Sequence, residues 1–133
     1  MSDIGNYGND NEYTFAYKQG DHVKLKKDAY FREREKATRL LDIICAKCGA
    51  KVLLYQKDGR GELHRCYLDR ILDPLKYEKL QHIANLRKED MPLLTCGKCN
   101  ALIGYPMLHR EGRLAYFLIK GAYLKRKSKI IGE

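Results

Sequence analysis

Cys45-Ala46-Lys47-Cys48 opens the stretch CAKCGAKVLLYQKDGRGELHRCYL at residues 45–68, and the pattern returns from residue 96 to 119 as CGKCNALIGYPMLHREGRLAYFLI. A shift of 51 residues superposes Cys45 on Cys96, Cys48 on Cys99, Val52 on Ile103, Gly61 on Gly112 and Leu63 on Leu114 without a gap. Each copy reads as a cysteine knuckle, an apolar strand, a polar turn carrying glycine and a second strand. The copies span residues 43–71 and 94–122.

Two residues between paired cysteines let both sulfurs of a knuckle point at one ion, as in zinc ribbons and zinc fingers. Cys45, Cys48, Cys96 and Cys99 are therefore the candidate metal ligands. With four thiolates the coordination shell is closed, so the expected ion is a single structural Zn2+; iron fits the same ligands. Gly49 and Gly97 are expected to give the knuckle turns their backbone freedom. A redox dithiol is the competing reading of C-x-x-C. It needs a helix N-terminus to lower a thiol pKa, and no helix-forming sequence follows either pair. The fifth cysteine, Cys66, falls where the second copy has Phe117, which marks it as a buried apolar position.

Outside the copies the signals are shorter. Residues 1–13 are polar and acidic and are expected to form a flexible tail, with residues 14–124 a single domain and 125–133 a basic C-terminal tail. Thr14 to Leu25 alternates around Gly20-Asp21 and predicts a strand or hairpin. Asp28 to about Leu41 predicts a short amphipathic helix with Asp28 as its cap. Asp73-Pro74 predicts a second helix, running to about Lys88 and joining the copies. The fold class that follows is mainly β (α+β): two pseudo-symmetric zinc-knuckle hairpin units share one four-cysteine site, joined by a helix.

The second copy, with its CGKCNALIGY and GRLAYFLIKGAYL segments, resembles the β-tent zinc superfamily of methionine-R-sulfoxide reductases and Yippee proteins. The resemblance covers residues 43–124 and implies one structural zinc, held by the same four cysteines, clamping two antiparallel sheets. The reductases carry a nucleophilic cysteine on the strand after the second knuckle. Phe117 stands at the nearest position here, and the chain has no tryptophan for their substrate loop. The resemblance therefore extends to the fold and not to reductase activity.

The chain of 133 residues carries 26 Lys and Arg against 17 Asp and Glu, a net charge of +9. Its basic residues cluster at Lys24, Lys26, Lys27, Arg32, Arg34 and Lys36, and again at Lys125, Arg126, Lys127 and Lys129. Tyr105, Tyr116, Phe117 and Tyr123 lie near basic positions. This pattern points to a polyanionic partner, DNA or RNA, bound by a basic surface. The bland counterpart is a solvated basic end beside tyrosines that belong to the core. A protein–protein adaptor stabilised by zinc is the alternative function, and a redox enzyme using Cys66 has least in its favour. His22, His64, His82 and His109 show no metal-ligand spacing, and no P-loop, dinucleotide fingerprint or nucleophile elbow is present. No catalytic residue and no small-molecule substrate is expected. The absence of a signal-peptide pattern and of a run approaching about 20 apolar residues predicts a cytoplasmic, non-membrane protein.

Overall fold

The run from Leu40 to Ile44 becomes an inner strand of a four-stranded sheet, buried on both faces. The computed structural model of the chain describes residues 12–34 and 37–133. One four-stranded sheet is built from β2 (Arg39–Cys45), β3 (Lys51–Lys57), β5 (Ile71–Asp73) and β9 (Tyr123–Lys127), in the order β5-β3-β2-β9. A second holds β4 (Arg65–Tyr67), β6 (Leu94–Thr95), β7 (Leu102–Leu108) and β8 (Leu114–Leu118), in the order β4-β8-β7-β6. Every pairing in these two sheets is antiparallel.

Leu41, Ile43, Leu53 and Tyr55 face the main core, where they meet Cys66, Ile103, Tyr116 and Leu118 of the second sheet. Leu40 and Leu54 face the other way into a smaller cluster with Val23, Leu72 and Ile130. Covering both faces removes the usual alternation of polar and apolar residues. The smaller cluster is closed by β1 (His22–Val23) and β10 (Ile131–Gly132), a short parallel pair.

The 51-residue offset survives in the first half of each copy: β3 and β7 occupy corresponding residues, and β2–β3 and β6–β7 are both hairpins joined by a knuckle. The second halves diverge. β7 turns back into β8 through Gly112 at φ +80°, but β4 leaves β3 and pairs with β8 in the other sheet. The edge of β3 is taken by β5 instead. The Asp58 loop is anchored by a buried ion pair, with Arg70 Nε 2.8 Å from Asp58 Oδ2. Thr38 Oγ1 and Gln56 Nε2 both donate to Asp58 Oδ1.

Several expectations of local structure change. The first helix is α1 (Ala29–Arg34); the Asp28 carboxylate does accept the Phe31 N–H, but Leu40 and Leu41 belong to β2. The joining helix is reduced to α2 (Leu75–Glu78), followed by 3-10 turns at Lys79–His82 and Lys88–Asp90. Asn85 sits in the left-handed region at φ 59°, which breaks the run, and Ile83 stays 48% exposed with no core to cover it. Asp73 ends β5 rather than capping a helix: its carboxylate accepts the N–H groups of Ala16 and Tyr17. The predicted hairpin over Thr14 to Leu25 yields only β1, whose partner is the other end of the chain. Residues 125–133, expected as a solvated tail, form most of β9 and all of β10, because Ile130 is needed to close the smaller cluster. The expected tail at residues 1–13 lies outside the described residues except for Glu12 and Tyr13. No helix among the described residues is long and apolar enough to cross a membrane.

Candidate metal centre

The two knuckles are built alike, one hydrogen bond at a time. Cys45 N–H donates to the Ala50 carbonyl and Gly49 N–H to that of Cys45; Cys96 N–H donates to Ala101 and Asn100 N–H to Cys96. The turn then requires a left-handed residue after the second cysteine, supplied by Gly49 at φ 80° and by Asn100 at φ 63°. Gly97, expected to serve this purpose, does another job. A Cβ there would lie 2.5 Å from Cδ1 of Tyr13, so the missing side chain lets that ring lie on the knuckle.

These turns bring the sulfurs of Cys45, Cys48, Cys96 and Cys99 within 4.8 Å of one another. Across the knuckles, Cys45 Sγ is 3.7 Å from Cys99 Sγ, and Cys48 Sγ is 3.5 Å from Cys96 Sγ. These separations exceed a disulfide bond of about 2.05 Å. They match the edge of about 3.8 Å of a sulfur tetrahedron whose centre lies about 2.3 Å from each corner. All five cysteines are free thiols. Burial pushes the Cys45 thiol up, but the N–H groups of Cys48 and Lys47 and the neighbouring thiols outweigh it and bring it down to about 7. That favours the thiolate, the form that binds a metal. The cluster could thus hold a metal ion with every ligand position filled by sulfur, which leaves no place for substrate.

Cys66 is fully buried opposite Tyr116, and burial pushes its thiol far up, so it stays protonated and screened. The histidines are occupied elsewhere: His22 with Glu133, His82 with Glu78, and His109 edge-on to the Tyr67 ring, while His64 is exposed.

The basic residues are spread over several surfaces. Lys24 and Lys26 line a cleft of about 610 Å³ in which Asp73 and Glu78 also lie. Lys26 donates through Nζ to Gln81. Lys27 and Arg32 are exposed, and the side chain of Arg34 and the whole of Lys36 lie outside the described residues. Lys125, Arg126 and Lys127 project from the edge strand β9, with Lys129 in the turn that follows. Lysines on an open edge also discourage pairing with a foreign sheet. Lys125 approaches Glu62 at 3.8 Å, and Arg126 pairs with Asp42 at 3.1 Å.

The aromatics divide. Tyr116 is buried with its hydroxyl donating to the Pro92 carbonyl, and Tyr123 donates to that of Leu63. Tyr105 and Phe117 are cross-strand neighbours, each about half exposed.

Sequence reasoning missed two charged clusters. Arg70, 2% exposed, holds Asp28 at 2.6 Å and Asp58 at 2.8 Å, and its guanidinium brings the Asp28 carboxyl down to about 2. Asp42, 5% exposed, sits between Lys51 and Arg126. The available signal was a lone carboxylate inside the apolar run Leu40 to Ile44. No protein-family model, no curated protein and no solved structure matches the chain.

Proposed function

We propose that this is a zinc-clamped β domain that binds polyanions, DNA or RNA, and catalyses no reaction. The observation that carries the binding function is the setting of Lys125, Arg126, Lys127 and Lys129: they are exposed, yet fixed to an ordered strand and turn instead of hanging on a loose end. Cations held in place lose less freedom on meeting phosphate than a flexible tail would. The equal knuckles and two antiparallel sheets favour a β-tent type of clamp, in which one zinc joins two related hairpins. Zinc is favoured over iron as the commoner occupant of four-thiolate structural sites.

The test has two arms. Purified protein should contain one zinc per chain, measured by elemental analysis. It should also shift oligonucleotides in an electrophoretic assay at about 50 mM salt and release them steeply as salt rises. Neutralising the four C-terminal cations together should abolish the shift. No shift of any polynucleotide would end this reading.

The exposed pair Tyr105 and Phe117, with Leu93 50% exposed just before β6, favours a second reading. An apolar row of this kind suits a protein partner. Native co-purification with a stoichiometric protein and no nucleic acid would select the adaptor instead.

A further inference from the structure

Cys45 and Cys96 are each 1% exposed, but Cys48 and Cys99 are only half-buried. The sheets by themselves therefore do not seal the four-cysteine cluster. The segment that precedes β1 passes by both knuckles. Its Tyr13 ring lies on Gly97, between Cys96 and Cys99, in the space a Cβ would fill. Its Phe15 ring takes Lys51 Nζ at 4.7 Å from the centroid, and Lys51 is the first residue of β3, directly after the other knuckle.

Residues 14–17 join neither sheet, so side chains fasten this segment. Glu12 pairs with Lys79, Lys76 Nζ stands 5.3 Å from the Tyr13 ring centroid, and that ring meets Tyr77 edge-on at 6.5 Å. At the other end the Asp73 carboxylate accepts Ala16 N–H at 3.1 Å and Tyr17 N–H at 2.9 Å. There Ala16 and Tyr17 share the wall of the 610 Å³ cleft with Leu72 and Leu75, so the segment is not packed solidly against the body. A segment held by a few side-chain contacts beside an unfilled space opens at a lower free energy than the core unfolds.

Resting on the metal clamp proposed above, we propose that residues 12–17 form a strap that governs exchange of the ion. The chain yields its metal to a competing thiol or chelator by lifting the strap, and the sheets stay folded until the ion has left. With the strap down, the Tyr13 ring bars an incoming ligand from the Cys96–Cys99 knuckle. The contacts of Phe15 with Lys51, and of Ala16 and Tyr17 with Asp73, keep the ring in place.

The test follows the rate at which the zinc-loaded full chain gives up its ion to excess chelator, read with a coloured zinc indicator. Tyr13→Ala removes the ring, and Gly97→Ala places a methyl group where the ring lies. Both should release zinc at least about tenfold faster than wild type, as expected where local opening limits access. Tyr13→Phe keeps the ring and should release like wild type. Asp58→Asn is the control: it weakens the buried pair with Arg70 at the far end of β3 from the knuckle. It should lower the denaturant midpoint and leave the release rate close to that of wild type. An unchanged rate in Tyr13→Ala would overturn the strap while leaving the clamp intact. So would rates that follow the denaturant midpoint across all the variants, since exchange would then require unfolding. If Gly97→Ala fails to hold zinc, the contrast between Tyr13→Ala and Tyr13→Phe decides alone. A wild-type chain that takes up no metal would instead remove the clamp on which the strap rests.

Discussion

At the scale of single residues, the knuckle turns offer a clean comparison. Asn100 adopts at φ 63° what Gly49 adopts at φ 80° in the corresponding place. Gly49→Asn should therefore leave the thermal melt of the metal-loaded protein nearly unchanged. Gly49→Val should lower stability by about 1–2 kcal/mol, the cost of a branched residue in the left-handed region. Asp28 provides a pH signature. Its carboxyl is held at about 2 by Arg70, below the ordinary value of 3.8. A lowered folded-state pKa contributes stability that is complete above the unfolded value and is lost as pH falls through the folded one. The stability difference between wild type and Asp28→Asn should hold steady above about pH 5 and shrink between about pH 4 and 2. Denaturant melts at stepped pH check it, and a difference constant across that window would remove the ion pair from the account. Cys66 should react slowly with alkylating reagents in the folded, metal-loaded chain, since it is fully buried and its thiol is pushed up.

At the scale of elements, the C-terminal segment separates a structural role from a decorative one. Ile130 is 6% exposed and packs with Val23, Leu40, Leu54 and Leu72. Ile130→Ala should cost about 2–4 kcal/mol, as for other buried isoleucines. The same change in a solvated tail would stay within about 0.5 kcal/mol. A denaturant midpoint moved without a change in slope would place the loss in packing. The β7–β8 hairpin is similarly constrained, because a Cβ on Gly104 would meet the Phe117 carbonyl oxygen at 2.6 Å. The obstacle is backbone, which cannot rotate aside as the Tyr13 ring at Gly97 can.

At the scale of the whole molecule, the sheets share one core, and the four cysteines bring a hairpin of each sheet together at one cluster that could hold a metal ion. A structural zinc supplies about 10–16 kcal/mol in small zinc-binding peptides, comparable with the entire stability of a domain. With the zinc clamp proposed above, strong chelator should therefore unfold both sheets in a single transition, followed by circular dichroism, and Cys48→Ser with Cys99→Ser should reproduce the effect without chelator. Retention of a cooperative melt after metal removal would show that the core suffices alone.

The sequence by itself determined the features whose causes are local. The knuckle spacing, the shared turn geometry and the matching extents of β3 and β7 all follow from residues within a few positions of each other. Cys66 is buried as expected, but not for the reason its counterpart offered: Phe117 is 49% exposed, and β4 pairs with β8 instead of occupying an equivalent place. Tertiary structure alone decided the pairing of β4 with β8, of β5 with β3, and of β9 with β2. Those choices join residues far apart in the chain, and backbone hydrogen bonding is blind to which strand offers its edge. Tertiary burial also overrode periodicity, since Leu40 and Leu41 look helical until both faces of β2 are covered.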